Sequence, residues 1–351
     1  HKDRDDNSCY VLFKVEDESA KKIDAAKGLE LSFLVWTTTP WTLPLNRGLM
    51  LLESAEYAVV KKDENSAFIL AKDLVEKVCK KAGINPEVLA VFKGSYFKDV
   101  KALHPTEQGR VVPVVYDSMV SLSDGTAVVH TAPGCGPEDY LVGVKNKLEI
   151  YSPISEKGLY TEGVFPAELK GMHVFKGQAW MLEYLEKSGA LFLKETLNHS
   201  YPYCWRCHKP LIFRATKQWF CNLDKNDLVR KSLEEIDNIS FSPEWGKTRL
   251  QAFVGTRTEW CISRQRQWGV PITALKCGDC KESAHLTKEL VLSVAENVAK
   301  DGIEYWDTVS VDQLKKDGAI PADLKCEKCS GSNFVKEQDI LDVWFDSGVS
   351  N

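Results

Sequence analysis

The sequence predicts an α+β protein: a barrel-like domain of mixed strands and helices over residues 1–197, then a second region over 198–351 that carries a cysteine-rich insertion. Three observations predict it. Short β-branched runs recur at irregular intervals, with helical patterns interspersed. Near residue 199 the composition turns aromatic and brings the first Cys-x-x-Cys. With 351 residues, 44% hydrophobic and 27% charged, the chain is long enough for two or three domains and ordinary for a globular protein.

In chain order, strands are expected over 9–15, 29–37, 57–61, 67–70 and 90–93. The run over 29–37 is apolar enough to be buried. A helix is expected over 72–82, where Leu74, Val75, Val78 and Cys79 share one face and Gly83 stands at the C-cap. Further strands fit 110–116 and 126–131. Helices fit 138–147 and 178–188, the second followed by Gly189. Beyond 198, a strand-like run at 211–215 precedes helices over 224–236, 287–300 and 311–317. No run of eighteen apolar residues occurs, so no membrane span is expected. The opening residues are polar, without a signal-peptide core or an initiator methionine, and read as a start within a longer protein.

The net charge of −5 argues against a general polyanion binder. The charge is uneven, however: twelve Lys/Arg against seven Asp/Glu lie between Cys204 and Val270. That local excess fits either an RNA strand or a solvated mixed-charge face. Eleven cysteines are an odd number, and six fall in Cys-x-x-Cys pairs, a pattern of metal binding in a reducing compartment. Cys277-Gly-Asp-Cys280 and Cys326-Glu-Lys-Cys329 supply four thiolates, enough for a closed structural zinc site; the other reading is unpaired reduced cysteines. Forty-five residues separate the pairs, longer than the usual ribbon spacing, and two of the expected helices fill them. Cys204 and Cys207 supply only two ligands. They are either half of a site completed by cysteines outside this sequence or two buried thiols.

Two stretches concentrate chemistry. Trp36-Thr37-Thr38-Thr39-Pro40-Trp41-Thr42-Leu43-Pro44-Leu45-Asn46-Arg47 follows the buried strand, and its prolines rule out continued regular structure. Hydroxyls emerge at a strand end into a rigid loop, which is either a grip on a polar ligand or a Thr/Pro turn. The second stretch, Val128-Val129-His130-Thr131-Ala132-Pro133-Gly134-Cys135-Gly136-Pro137-Glu138-Asp139-Tyr140, is again a strand, a Pro/Gly turn and a helix start with acids in its first turn.

Together these stretches resemble the editing (connective peptide) domain of the isoleucyl-tRNA synthetases, which carries a TTTPWTLPxN loop facing an HTAPGxGxxDY loop. Trp260-Cys-Ile-Ser-Arg-Gln-Arg-Gln-Trp-Gly-Val-Pro-Ile272 and Asp342-Val-Trp-Phe-Asp-Ser-Gly348 resemble segments of the same family's Rossmann-type catalytic core. The resemblance implies hydrolysis of valine mischarged onto the 3′ end of tRNA(Ile). Asp139 would hold the α-ammonium, while Thr37, Thr38, Thr39, Thr42 and Asn46 would hydrogen-bond ester, adenosine or water. His130 and Trp41 would shape the side-chain pocket. Cys135 stands where many relatives have a second histidine, with packing its expected role. The parent enzymes ligate isoleucine to tRNA with ATP and Mg2+. This chain has neither an HxGH nor a KMSKS-like motif, so activation of the amino acid is not expected of it. The resemblance further implies one structural zinc, a monomer and a cytoplasmic location. A competing reading is a zinc-stabilised RNA-binding module without hydrolysis; another is a valyl-type editing domain.

Overall fold

Residues 9–15, expected as the opening strand, are the apolar half of a longer one, β1 (Lys2–Lys14). The computed structural model describes residues 1–266 and 268–350, which form two compact units, His1–Thr216 and Lys217–Asn351.

In the first unit β1 is followed by the short helix α1 (Asp17–Ala20) and by β2 (Glu30–Thr37), β3 (Gly48–Leu51), β4 (Glu56–Lys61) and β5 (Ser66–Ala71). Helix α2 (Val75–Ala82) ends at Gly83, whose left-handed φ of 69° closes the C-cap. Then come β6 (Glu87–Lys93), β7 (Lys101–Leu103), β8 (Val111–Tyr116), β9 (Val129–Thr131), α3 (Pro137–Lys145), α4 (Val174–Lys187) and β10 (Leu191–Tyr201).

The pairing explains the barrel-like shape. β2 lies antiparallel to β1, and at Trp36 it meets Val129 of β9 in parallel. β9 runs antiparallel to β3, β3 parallel to β8, and β8 antiparallel to β7. A bridge between Val15 and Ala102 then joins β7 to the end of β1, so the six strands β1-β2-β9-β3-β8-β7 return on themselves. β5, β4 and β6 extend the sheet from the first half of β2, and β10 covers the outer edge of β1. Phe13, Phe33, Phe68 and Phe97 are fully buried inside. Each contributes about 1.5–3 kcal/mol through removal of its ring from water.

β3, β7 and β10 lie outside the expected strands, and β10 carries the sheet past residue 197. Helix α4 starts four residues before the expected 178, capped by His173, whose side chain accepts from the Phe175 amide. The strand-like run at 211–215 is not a strand; it passes beside the α3 turn, where the Ala215 amide donates to the Gly134 carbonyl.

The second unit contains β11 (Phe220–Asn222), α5 (Leu228–Asp237), α6 (Trp245–Gly255), β12 (Glu259–Cys261), β13 (Ser263–Arg264), β14 (Leu275–Cys277) and β15 (Ala284–His285). Three helices follow, α7 (Lys288–Asp301), α8 (Tyr305–Thr308) and α9 (Val311–Lys316), then β16 (Phe334–Lys336), β17 (Ile340–Leu341) and α10 (Val343–Gly348). Helix α5 begins four residues later than expected because Asn226 and Asp227 take left-handed φ values of 59° and 58°. The expected Rossmann-type segment shows no parallel strand pair among the described residues. β11–β12, β13–β17 and β15–β14–β16 are all antiparallel, and strands of two or three residues make too few ladder bonds to build a wider sheet. The 260–272 segment contains Gln267, which lies outside the described residues. Among those residues no helix is long and apolar enough to cross a membrane.

Candidate active site

β2 stops where its side chains turn from apolar to hydroxylic. Thr37 Oγ1 accepts from the Thr39 amide at 3.1 Å and lies 3.3 Å from Thr39 Oγ1, so the chain folds back at once. Pro40 then opens a 3-10 turn (Pro40–Leu45), its missing N–H costing nothing at that position. Thr42 Oγ1 donates to the Thr39 carbonyl at 2.8 Å and lies 3.2 Å from Thr39 Oγ1. Three hydroxyls thus form one hydrogen-bonded row, while that of Thr38 makes no bond within the protein among the described residues.

The facing stretch is set by β9, which places His130 opposite Leu49. Asp139, in the first turn of α3, reaches back so that its Oδ2 accepts from the Ala132 amide at 2.8 Å. Burial raises its pKa above the ordinary carboxylate value, and the Ala132 bond opposes that rise. Asp139 Oδ1 has no partner within the protein among the described residues.

His130 joins the two stretches. Asn46 Nδ2, which also donates to the Gly48 carbonyl, lies 2.7 Å from His130 Nδ1. Since that amide nitrogen is a donor, Nδ1 accepts and the ring proton sits on Nε2, 2.9 Å from Thr42 Oγ1. Thr42, with its own proton given to Thr39, is free to accept. Burial lowers the His130 pKa to about 4, so the ring is neutral at physiological pH and both nitrogens are committed.

These groups border a cavity of about 340 Å³. Of the residues singled out in the sequence, Thr37, Thr38, Thr39, Thr42, His130 and Asp139 line it. Trp41 and Asn46 do not. Trp41 is buried in the core behind the loop, its carbonyl accepting from the Tyr160 hydroxyl at 2.6 Å. Asn46 is fully buried beneath His130. The indole that does line the cavity is Trp36, against which Gly125 packs, with Met119 and Ser121 on the same side. Cys135 also lines it. Burial first, and Asp139 second, push its thiol up to about 12, so it is a neutral wall group rather than a nucleophile. No Lys or Arg is among the described lining residues. The arrangement can hold a cation at Asp139 and a neutral polar ligand along the hydroxyls.

Cys277, Cys280, Cys326 and Cys329 come together in the second unit. Their sulfurs lie within 4.8 Å of one another, with 3.6 Å for the Cys277–Cys329 and Cys280–Cys326 pairs. A tetrahedral set of thiolates at zinc bond lengths has edges of about 3.8 Å, so the cluster fits a metal ion. Each knuckle turns through a left-handed residue after its second cysteine, Lys281 and Ser330. The Glu282 amide donates to Cys280 Sγ at 3.4 Å, as thiolate ligands require. Cys204 and Cys207 show the same turn, with His208 left-handed and its amide bonded to the Cys204 carbonyl, but no further ligand joins them among the described residues.

The family described as tRNA synthetases class I (I, L, M and V) matches residues 17–351. The chain belongs to that family. An isoleucine–tRNA ligase from Petrotoga mobilis is 40% identical over 349 residues, covering 99% of this chain and 36% of the relative. One from Brachyspira hyodysenteriae is 42% identical, covering 99% and 37%. The chain therefore spans little more than a third of the length of these curated relatives. A solved P. falciparum cytosolic leucyl-tRNA synthetase editing domain aligns with 54% of this chain and 99% of its own at 11% identity, with a TM-score of 0.44, a likeness too slight to build on.

No motif in the sequence marks Trp36, Met119, Gly125 or Arg47 as site residues. Trp36 opens the threonine-rich stretch, but its exposure to the cavity follows from the facing of β2 against β9. Met119 and Gly125 lie in a polar loop without a motif. Nothing in the sequence flags Arg47 except a charge between Asn46 and the apolar run that starts at Leu49.

Proposed function

We propose that the first unit hydrolyses the ester of a mischarged aminoacyl-tRNA, valine on tRNA(Ile), in the cavity between the threonine loop and α3. The observation that carries this reading is the single cavity shared by the Thr37–Thr38–Thr39 hydroxyls and the Asp139 carboxylate. One missing methylene gives a synthetic site only about 1–3 kcal/mol of discrimination, the isoleucyl enzymes being the standing example, and a second hydrolytic site supplies the rest.

In this mechanism Asp139 Oδ1 receives the substrate's α-ammonium, a charge-assisted contact that registers the aminoacyl group. The ammonium offsets the burial that raises the Asp139 pKa. Thr38 and Thr39 hydrogen-bond the ester and ribose oxygens and hold the attacking water. The water adds to the carbonyl carbon, and the ribose oxygen leaves with a proton. No protein base is invoked: His130 Nδ1 is already an acceptor and Cys135 is neutral. His130 and Trp36 wall the side-chain pocket. Zinc at Cys277, Cys280, Cys326 and Cys329 is structural and takes no part in this step. The parent protein would be a monomeric, cytoplasmic isoleucine–tRNA ligase whose ATP and Mg2+ chemistry uses residues outside this chain.

Incubation with Val-tRNA(Ile), following ester loss, tests the reading. The wild-type chain should deacylate it, and Asp139→Ala should do so roughly 10²-fold more slowly while keeping its circular dichroism. No hydrolysis by the wild type, with the RNA still bound, would leave a binding module instead. Undiminished hydrolysis by folded Asp139→Ala would remove the ammonium role.

A further inference from the structure

Behind the threonine loop sits a charged group the mechanism does not use. Arg47 is 4% exposed, and burial lowers its pKa, with Arg110 adding to the effect. A guanidinium is costly to bury unless its donors are paired, so its place beside the site needs a reason. Its partners come from three separate segments. Nε donates to Glu149 Oε2 at 2.8 Å, beyond α3. One terminal nitrogen donates to the Asn46 carbonyl at 2.6 Å and lies 3.7 Å from Glu107 Oε2 on the β7–β8 turn. The Tyr151 ring lies against the guanidinium carbon at 3.8 Å. Arg110 shares both acids, so two cations and two anions balance.

The backbone of the same residue completes the arrangement: the Arg47 amide donates to the Thr131 carbonyl at 2.8 Å, one residue after His130. Arg47 therefore grips both motif stretches at once, β9 through its amide and Asn46 through its guanidinium. Asn46 in turn has its amide nitrogen on His130 Nδ1, and His130 Nε2 meets Thr42, which anchors Thr39.

We propose that Arg47 is a positioning residue for the hydrolytic site, fixing Asn46 so that His130 keeps one neutral tautomer and the threonine hydroxyls keep their row. This deepens, and rests on, the reading of the cavity as a hydrolytic site. The planar fork matters as much as the charge, because it satisfies a carboxylate and a carbonyl in one plane while stacking on a ring. A flexible apolar chain of equal length would fill the volume and leave Asn46 free to turn.

The test uses the chain as it stands, with Arg47→Met, Arg47→Lys and Glu149→Gln, and two independent readouts. The first is 15N NMR of the histidine rings, which reports the His130 tautomer without any substrate. Wild type should show a single neutral form protonated on Nε2. Arg47→Met should show exchange between tautomers, with Arg47→Lys and Glu149→Gln intermediate. The second is hydrolysis of Val-tRNA(Ile), where Arg47→Met should lower kcat about tenfold or more with KM within about twofold, since loosening of a supporting residue misplaces reacting groups. Should Arg47→Met fail to fold, Glu149→Gln, at a half-exposed acid, carries both readouts with smaller shifts. A folded Arg47→Met or Glu149→Gln protein with an unchanged His130 spectrum would overturn the proposal. Altered tautomers in a protein whose wild type does not hydrolyse Val-tRNA(Ile) would support the positioning chain and overturn the hydrolytic reading instead.

Discussion

His130 and His104 are both buried and both held neutral, His130 at about 4 by burial and His104 at about 3 by burial and then by Arg47. Their acceptor nitrogens are occupied, His104 Nδ1 taking the amides of Thr106 and Glu107 and His130 Nδ1 taking Asn46. A base whose folded pKa lies below its unfolded value leaves stability untouched above about 6.5, where neither state is protonated. As pH falls from there toward 4, the unfolded chain takes up a proton that the folded one refuses, and stability drops. For His130 alone the loss approaches roughly 3 kcal/mol at the bottom of that window. Urea unfolding at pH 7 and pH 5 should therefore show a smaller pH difference for His130→Gln than for wild type. Equal differences would mean that His130 titrates in the fold as it does in the unfolded chain. At this scale the sequence exposed the site's groups but not their partners. His130, Asp139 and the three threonines stood in recognisable stretches, whereas the placement of Trp41 behind the loop depends on Tyr160, 119 residues away.

At the scale of elements, strands were legible where burial dictated them and illegible where a partner did. β2 and β5 are apolar on both faces and read directly. β10 alternates half-buried and exposed residues over a polar stretch, and the first half of β1 is charged; each is a strand because the other lies beside it in register from Lys2 to Cys9. β3 is four residues long and follows a turn, too short for a period to show. The loop between β8 and β9 had no pattern over most of its length, and the strand expected from 126 starts only at Val129, yet the loop builds one side of the cavity. It is pinned by Asp117 to Lys145 of α3 and by Asp124 to Lys77 of α2. Its critical residue is Gly125, at φ 68°, where an added Cβ would stand 2.6 Å from Trp36 Cε3. Gly125→Ala therefore combines a strained backbone with a clash against the Trp36 ring, which borders the cavity. It should cost about 1–3 kcal/mol of stability. Trp36 fluorescence should shift, and hydrolysis should fall more than binding, because the wall moves. An alanine variant as stable and as active as wild type would show that the loop, rather than Trp36, yields.

For the molecule as a whole, the two units hold separate apolar cores, one centred on Phe13, Phe33 and Phe68 and the other on Leu275, Trp306 and Leu314. The second is small, and Cys277 and Cys326 are members of it, so the knuckles are part of the packing rather than an appendage. Four sulfurs this close also resist sharing negative charge. Cys326 is held down to about 6, first by the Cys329 amide, while Cys329, against the lowering effect of the Gly331 amide, is pushed up to about 12 by desolvation and then by the neighbouring sulfurs. One divalent ion removes that repulsion and ties together two turns 45 residues apart in the chain. Binding energy of this kind is folding energy, on the order of 10 kcal/mol for small thiolate sites. The reduced protein should thus contain close to one zinc per chain. Chelation or Cys277→Ser should then lower the melting transition of the second unit and open 281–325 to protease, leaving the first unit's transition and the hydrolysis of Val-tRNA(Ile) in place. The absence of zinc from a reduced, chelator-free preparation would remove the metal. If hydrolysis is lost together with the second unit's fold, the first unit does not sustain its site alone.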